Sequence, residues 1–591
     1  MTPSYLAFVP WPGFDQSSIH AVAADAGIRT GLDTVLVSPM LIVLAARDCP
    51  RLMLDNGAGM IVGTLFERDA ACALQCLNPA AAGTIVQTDG QVLIDGYWGA
   101  YVAFIADTET GATHILRDPS GGIPCFRVRR SGFDLLMSEP ALAIDAGLLK
   151  ASIDWPGLTH HLLNDQLRTA RTCLDHVSER LAGSRLTQTA GGFTEAMLWS
   201  PWVFADRAAL LLDEDEAVAR LRQTVRSCIS AWASRFEHII VTVSGGLDSS
   251  IVAAALAEGP TPFTCLTYYT DDPSGDERCY ARDLVARLPA RLVEMPLDLA
   301  LVDLRRSGAA RFARPVARSF AQAGDDFGLE LAKGLSADGF FTGNGGDNIF
   351  CYLQSAAPLA DRILVEGLGR GSWQTLNDVS LLAQSSLWQV ARSALKKLRM
   401  NARPYRWHAD TRFLAPDTIQ QAGPPAGHPW RTMRRDGLPG TSAHIALLLL
   451  TQNHQEGERG LTHPLLSPLL SQPIVELCLR IPSWMWCRDG QNRQVARRAF
   501  HDVLPPSLFN RQSKGTPDSF IIAIFEANRD LIREMLIDGL LAGHGLLDRG
   551  ALSRALSGPN VTRDHDYWRL LRLVDAEAWA RAWTSRSPTT H

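Results

Sequence analysis

VSGGLDSS, residues 243–250, follows the apolar run HIIVT at 238–242 and precedes the apolar run IVAAAL at 251–256. This order predicts a buried parallel strand, a tight glycine turn and a helix that begins at Ser249. The dipole and the backbone N–H groups at a helix N-terminus favour an anion. Side chains at Gly245 and Gly246 would block the close approach of a phosphate. The stretch therefore predicts a phosphate-binding turn.

Asp248 stands inside this turn, where a carboxylate would repel phosphate directly but could hold Mg²⁺ beside it. The lysine of the G-x-x-x-x-G-K-[ST] loop is absent, and so is the G-x-G-x-x-G order of dinucleotide-binding folds. The turn thus predicts an ATP site that grips pyrophosphate. The alternative is an ordinary glycine turn without a ligand.

Further alternation of strand and helix follows along the chain. Residues 263–269 and 291–295 are predicted strands, and residues 276–288 form a predicted helix between them. This pattern is typical of a doubly wound parallel α/β sheet that binds ligands at the carboxyl ends of its strands. A second strand-and-glycine motif, FFTGNGGDNIF at 340–350, carries Asp347. Asp248 and Asp347 are therefore predicted to share a Mg²⁺ ion bound to triphosphate.

Composition limits the class of protein. The chain has 591 residues, 46% apolar residues, a formal net charge of −5 and 11 cysteines without a CxxC pair. These values indicate an ordinary globular protein of two or three domains and give no reason to expect nucleic-acid binding. We expect a cytoplasmic protein, because no signal peptide is recognisable and no apolar run is long enough to span a membrane.

Residues 1–205 alternate short apolar runs with glycine and polar turns, which predicts a largely antiparallel β domain. GAYVAFIADTETGATHILRDPSGGIPCF at 99–126 and LLMSEPALAI at 135–144, taken with the loop at 244, resemble the glutamine amidotransferase half of class B asparagine synthetases. The resemblance implies an Ntn-type four-layer α+β sandwich. In active members an N-terminal cysteine releases ammonia from glutamine. Here Thr2 occupies that position and the first cysteine is Cys49, so an inactive glutaminase-like scaffold is expected. Chemistry by an N-terminal threonine is the alternative.

The resemblance also covers residues 206–591, which it identifies as an ATP-pyrophosphatase domain with helical closing segments at 463–485 and 492–516. Such enzymes use ATP and Mg²⁺. The residues implied for nucleotide binding are Thr242, Ser244, Gly245, Gly246, Leu247, Asp248, Ser249, Leu266 and Gly343.

Two catalytic residues are implied by the same resemblance. Lys514 lies in the segment whose lysine meets the α-phosphate and stabilises the oxyanion of the tetrahedral intermediate. Asn344 occupies the position of an acid in asparagine synthetases and of a tyrosine in β-lactam synthetases. Since an amide can orient an amine but cannot act as a base, the proton must leave through another group. The nearby Arg493, Arg497 and Arg498 would either assist on pyrophosphate or form a solvated helix face.

Within this family, the form GNGGDNIFC, the RDPSG segment and the missing cysteine are most similar to lasso peptide macrolactam synthetases. These cyclases adenylate an Asp or Glu side chain of a core peptide, whose N-terminal amine then closes the ring. The partners implied are a lasso precursor or core peptide, a leader peptidase and a leader-binding protein. A β-lactam synthetase, an ammonia-dependent asparagine synthetase and a catalytically dead peptide-binding module remain as alternatives.

One segment is distinctly basic. Residues 392–435 are rich in arginine, lysine and proline and contain two acids, Asp410 and Asp417, before Asp436. Such a segment is either a solvated, mobile face or a lid that recognises an acidic partner or peptide.

Overall fold

The computed structural model describes residues 3–164, 167–270, 272–273, 275–399, 405–424, 427–432, 434, 436–457, 464–509, 511, 518–558 and 565–586. Along these residues, none of the helices is both long and apolar enough to cross a bilayer.

The N-terminal part is built on two antiparallel six-stranded sheets, with strand orders β10-β8-β9-β1-β3-β2 and β12-β11-β7-β6-β5-β4. The strands are β1 Tyr5–Pro10, β2 Asp33–Ser38, β3 Leu41–Ala45, β4 Arg51–Leu54, β5 Gly59–Glu67, β6 Tyr97–Asp107, β7 Ala112–Arg117, β8 Phe126–Arg130, β9 Phe133–Met137, β10 Val177–Glu179, β11 Ser184–Thr189 and β12 Gly192–Met197. The helices of this part are α1 Gln16–Thr30, α2 Pro79–Gln87, α3 Gln91–Gly96, α4 Pro140–Asp145 and α5 Trp155–Leu163.

Alternation along the strands places these elements in four layers. In β1, Tyr5, Ala7 and Val9 belong to the apolar cluster between the two sheets, whereas Leu6 and Phe8 pack on the other face with α1. The second sheet likewise turns its outer face toward α2 and α3. Successive side chains of a strand point to opposite faces of the sheet. Because the side chains on both faces are apolar here, each sheet is buried on both sides. The antiparallel strands confirm the prediction from the sequence pattern, and the sandwich of two sheets between helices is the arrangement that the resemblance implied.

The C-terminal part contains a five-stranded parallel sheet of order β15-β14-β13-β16-β17. Its strands are β13 Ile239–Thr242, β14 Phe263–Tyr269, β15 Arg291–Pro296, β16 Gly339–Phe341 and β17 Leu465–Leu466. Ile239 and Val241 pack on one face of the sheet and Ile240 on the other, and apolar clusters cover both faces. Burial on both faces explains why the central strand β13 is almost entirely apolar, whereas the edge strand β15 is partly exposed and contains Arg291 and Glu294.

Helices surround this sheet and continue to the C-terminus. They are α6 Pro201–Phe204, α7 Glu214–Ala233, α8 Leu247–Leu256, α9 Arg278–Val285, α10 Gln322–Leu335, α11 Gly346–Ile349, α12 Ala357–Glu366, α13 Arg370–Leu382, α14 Leu387–Arg399, α15 Pro416–Ala422, α16 Pro439–Gly457, α17 Gln472–Arg480, α18 Gln494–Ala499, α19 Pro506–Phe509, α20 Asp518–Ala527, α21 Arg529–Ile537, α22 Leu540–Gly543, α23 Arg549–Ser557 and α24 Asp566–Thr584. A short hairpin, β18 Cys487–Arg488 and β19 Gln491–Asn492, leads into α18.

The two parts share their cores. One apolar cluster joins strands of the N-terminal domain to α7, α8 and the parallel sheet, and another joins α1, α4 and α5 to the C-terminal helices α20–α24. Trp155 of α5, for example, stacks on His544 with ring centroids 3.7 Å apart. The last helices therefore pack back onto the first domain.

Candidate functional site

The turn after β13 is closed by its own polar groups. The backbone N–H of Ser244 donates to the Ser249 hydroxyl at 3.3 Å, and the Ser250 hydroxyl donates to the Gly246 carbonyl at 2.7 Å. Helix α8 begins at Leu247, after Gly246 in an extended conformation, so the predicted start at Ser249 is two residues too late. Asp248 consequently lies within the first turn of α8, beside N–H groups that have no partner within the helix.

Glycines allow the two glycine motifs to touch. A Cβ at Gly343 would lie 2.3 Å from the Ser249 nitrogen, and a Cβ at Gly346 would lie 2.3 Å from Cγ of Asp248. Gly245 has φ +60°, and its Cβ would lie 2.7 Å from that of Tyr280. A side chain at Gly343 or Gly346 would push the two turns apart, whereas one at Gly245 would collide with Tyr280 of α9. The structure thus brings the stretches 243–250 and 340–350 into direct contact at the carboxyl end of the sheet.

The two aspartates of these motifs meet at one arginine. Nη1 of Arg493 lies 2.8 Å from Oδ2 of Asp248 and within hydrogen-bond distance of Oδ1 of Asp347. The Arg493 and Asp248 side chains are each 9% exposed, whereas that of Asp347 is 37% exposed. Because a buried carboxylate is costly without a partner, this pairing stabilises the aspartates in their close arrangement.

The same two carboxylates fit a Mg²⁺ ion. Their oxygens already share one positively charged group, and carboxylate oxygens are ligands that Mg²⁺ prefers. Among the described residues, no group of three or more His, Cys, Asp or Glu side chains is placed to hold a metal. A Mg²⁺ ion between Asp248 and Asp347 would therefore take its other ligands from phosphate and water.

Two further arginines, Arg511 and Arg497, bind backbone carbonyls beside the site. The Arg511 guanidinium donates to the Gly245 carbonyl at 2.8 Å and lies 4.1 Å from the ring centroid of Tyr280. Arg497 donates to the carbonyls of Asn492 and Arg511, at 2.9 and 3.0 Å. Burial and the nearby charge of Arg493 lower the pKa of Arg497 to about 10, so it stays protonated at neutral pH.

The structure separates the three arginines that the sequence grouped on one helix face. Arg493 lies between the aspartates and Arg497 braces the segment that carries Arg511, whereas Arg498 pairs at 2.6 Å with both Glu214 and Asp215 at the start of α7. A single solvated face is thus wrong for Arg493 and Arg497, both of which are buried. No sequence signal distinguishes Arg493 from the other two arginines, because its contacts depend on the hairpin that precedes α18.

The other predicted site residues differ in their burial and in their position on the sheet. Thr242 and Leu266 are register partners at the ends of β13 and β14. The Leu266 side chain is fully buried in the apolar cluster under α10, so any adenine contact would have to come from backbone or from neighbouring residues. Asn344 is exposed, with its N–H donating to the Thr342 hydroxyl at 3.2 Å. Lys514 and Thr2 lie outside the described residues.

The basic segment 392–435 is mostly exposed where the structure describes it, and it is anchored at a few points. Arg412 pairs with Asp410 at 2.7 Å and with Asp566 of α24 at 2.9 Å. Leu414 and Trp430 are buried. These contacts anchor the segment at a few points, while most of its other described side chains are exposed. Helix α14 presents exposed apolar and basic side chains together, namely Trp388, Arg392, Leu395, Lys396 and Arg399.

In the N-terminal domain, the first cysteine of the chain lacks the environment of a nucleophile. Cys49 is buried, and burial raises the pKa of its thiol to about 12. Since the thiolate is the reactive form, Cys49 is a core residue.

Comparison with known proteins places the chain in a family. The family model described as asparagine synthase matches residues 220–581. The chain belongs to the asparagine synthase family, and this membership supports an ATP-dependent, amide-forming enzyme. No match was found among curated proteins.

Two solved structures show a distant likeness. One is a glutamine phosphoribosylpyrophosphate amidotransferase from B. subtilis in complex with ADP and GMP, with 10% identity, 44% of this chain covered and a TM-score of 0.22. The other is described as the allosteric regulatory enzyme of purine biosynthesis, with 10% identity, 44% of this chain covered and a TM-score of 0.21. The match spans 65% and 64% of those chains, respectively.

Proposed function

We propose that this protein is an AMP-forming peptide cyclase, a lasso peptide macrolactam synthetase that uses ATP and Mg²⁺. The substrate is a core peptide with an Asp or Glu side chain that becomes the acyl donor. The proposed acceptor is the N-terminal amine of the same peptide. A leader peptidase and a leader-binding protein would supply that peptide.

The chemistry takes place in two displacements. A carboxylate oxygen of the peptide attacks the α-phosphorus of ATP, and pyrophosphate leaves with the electrons of the α–β bridging bond. The amine then attacks the acyl carbon, loses a proton, and displaces AMP, which keeps the former carboxylate oxygen. The net change is loss of one water from the peptide and conversion of ATP to AMP and pyrophosphate.

The residues of the site suit the first displacement. The N-terminus of α8 and the hydroxyls of Ser244 and Ser249, which lie 3.5 Å apart, would hold the leaving pyrophosphate. Mg²⁺ would be held by Asp248 and Asp347 and would offset charge on the phosphates. Lys514 is proposed for the oxyanion of the second displacement.

The observation that carries the proposal is the contact between the two motifs. Gly343 and Gly346 pack against Ser249 and Asp248 so closely that a Cβ at either position would overlap them. Two strand-end turns in such contact, each with a carboxylate, support a site for a metal–triphosphate complex. The peptide substrate and the ring closure are supported by the sequence resemblance.

Mass spectrometry of a candidate core peptide tests this function. The peptide is incubated with the leader peptidase, the protein, ATP and Mg²⁺, without added glutamine or ammonium. We expect a peptide lighter by one water, with a fragmentation gap across the ring. An unchanged peptide in the presence of an active leader peptidase would contradict the cyclase function.

The alternatives give different products in the same assay. Formation of asparagine from aspartate and ammonium would favour an asparagine synthetase. AMP formation with a small β-amino acid substrate, and none with peptide, would favour a β-lactam synthetase-like enzyme. Peptide binding without nucleotide turnover would favour a binding module.

A further inference from the structure

Arg493 is fixed from four sides at the point where a metal would bind. Its Nε donates to the Asn492 side chain at 2.9 Å, its guanidinium lies 5.7 Å from the ring centroid of Tyr352, and Nη1 contacts Asp248 and Asp347. A single nitrogen between two carboxylates occupies the position that a cation shared by them would take.

The backbone at Arg493 is unusual as well. Its φ and ψ are 55° and 34°, the left-handed region that residues other than glycine, asparagine and aspartate seldom adopt. The residue sits between hairpin β18–β19 and α18, and this tight connection sends its side chain back into the site. Such backbone strain persists where the surrounding structure requires it, and it is concentrated at functional sites.

The charge of Arg493 has opposite effects on the two ligands of the site. A Mg²⁺ ion that binds between the carboxylates without nucleotide must displace the guanidinium or lie within a few ångströms of a like charge. The phosphates of ATP, in contrast, offer the guanidinium two or more new oxygen acceptors near the start of α8. Bidentate pairing with phosphate is a favoured geometry for arginine.

We propose that Arg493 couples metal binding to nucleotide binding, by pairing with Asp248 and Asp347 until the phosphates of a nucleotide give it another partner. The inference rests on the proposed function, since it concerns the same ATP site. It predicts that the metal enters as the metal–nucleotide complex, and that a divalent cation alone binds weakly. Arg493 is thus a positioning residue that keeps the free site closed to metal.

Binding of Mn²⁺, followed by its electron paramagnetic resonance signal, tests this coupling without turnover. The full-length protein is titrated with Mn²⁺ alone and with α,β-methylene-ATP, which cannot be cleaved between its α- and β-phosphates. For the wild type we expect the analogue to tighten Mn²⁺ binding at least about tenfold, a coupling of the usual allosteric size. In Arg493→Gln we expect Mn²⁺ alone to bind severalfold more tightly than in the wild type. The ratio of the Mn²⁺ affinities with and without the analogue should fall toward one.

Two variants serve as controls. Arg498→Gln removes an arginine of the same helix that pairs with Glu214 and Asp215, and it should retain wild-type coupling. Arg493→Lys keeps the positive charge and should retain part of the coupling. Comparison with Arg493→Gln therefore shows whether the effect comes from loss of the charge or from damage to the fold. Thermal unfolding of all variants in the same buffer identifies any that are unfolded.

The outcomes separate this inference from the function on which it rests. Equal Mn²⁺ affinities with and without the analogue in the wild type, or unchanged binding of Mn²⁺ alone in Arg493→Gln, would overturn the coupling. Failure of the wild type to bind the analogue, with tighter Mn²⁺ binding in Arg493→Gln, would overturn the ATP site and leave the competition between arginine and metal standing.

Discussion

At the scale of single residues, the site depends on a few positions where charge or the lack of a side chain is required. Asp248 and Asp347 are brought close by glycines and held together with Arg493. The contribution of each of these residues to metal or nucleotide binding can be measured separately.

Replacing Asp248 by asparagine removes a charge while keeping the shape of the side chain. We expect AMP formation to fall by about 100-fold or more, because a metal ligand that stabilises charge in the transition state contributes several kcal/mol. Quenched-flow or steady-state assays of AMP release measure this loss. AMP release at the wild-type rate in Asp248→Asn would contradict the metal assignment.

Gly343→Ala tests the contact between the two motifs. The new Cβ would lie 2.3 Å from the backbone nitrogen of Ser249, so the turn must shift and nucleotide affinity should fall at least about tenfold. Gly334→Ala in α10 is the matched control, because its Cβ would meet nothing within 4 Å. Nucleotide titrations of both variants provide the comparison, and equal affinities would show that the close contact is not needed.

The strand and the glycine turn around Asp248 could be predicted because their sequence signal is local. The strand, the turn and Asp248 are adjacent in the chain, so the pattern places them together. Arg493 lies 245 residues from Asp248, and its contact depends on the hairpin that precedes α18. No periodicity along the chain could locate such a partner, and the sequence left it among three arginines of equal standing.

At the scale of elements, helix N-termini recur as places for negative charge. Asp361 of α12 is buried and accepts hydrogen bonds from the N–H groups of Gly440 and Thr441, at 2.7 and 3.2 Å, at the start of α16. Ser483 adds a hydroxyl donor at 2.7 Å. Burial nevertheless raises the pKa of Asp361 to about 7, because these hydrogen bonds only partly offset the loss of solvation.

This raised pKa predicts a pH dependence of stability. Between the ordinary pKa near 4 and the folded value of about 7, the folded state binds more protons at Asp361 than the unfolded state does. The contribution of Asp361 to the free energy of unfolding is therefore largest below pH 4 and is lost as the pH rises toward 7. The free energy of unfolding of the wild type should decrease between pH 5 and pH 8, and in Asp361→Asn this decrease should be smaller by about 1–3 kcal/mol.

Denaturant unfolding of the wild type and Asp361→Asn at several pH values measures this difference. Other buried acids contribute equally to both proteins and cancel in the comparison. Parallel curves of stability against pH would show that Asp361 does not titrate in this range.

Elements also show where sequence patterns are insufficient. The antiparallel and parallel strands were predictable from apolar alternation and from short apolar runs, since both follow from burial. The contacts of residues 405–424 were not predictable. The N–H of Asp410 donates to the Leu163 carbonyl and Arg412 pairs with Asp566, and both partners are remote in the sequence. A segment rich in proline and arginine carries no sequence signal that locates such anchoring contacts.

At the scale of the whole molecule, one buried carboxylate joins the two parts of the chain. Glu179 contacts Arg117 of β7, Arg168, and Arg314 of the C-terminal part, at 2.6, 2.7 and 2.7 Å. Burial opposes ionisation of Glu179, yet the three guanidinium groups hold its pKa well below the ordinary value. Arg117, which opens the RDPSG segment, is thus part of the interface between the parts.

Glu179→Ala leaves three guanidinium groups buried without this carboxylate. We expect the free energy of unfolding to fall by about 3–5 kcal/mol, the usual effect of breaking a buried ion pair. Glu534→Ala is the control, since its pair with Arg305 is exposed and should contribute at most about 1 kcal/mol. Denaturant unfolding followed by tryptophan fluorescence gives both values, and equal losses would contradict the interface role of Glu179.

The central claim about the whole molecule is that this fold activates a carboxylate by adenylation. The most direct test is transfer of ¹⁸O from a peptide whose Asp or Glu side chain is labelled in both carboxylate oxygens. We expect AMP to acquire one ¹⁸O atom for each ring closed, while pyrophosphate stays unlabelled. Label in inorganic phosphate together with ADP, or ring closure without labelled AMP, would contradict this claim.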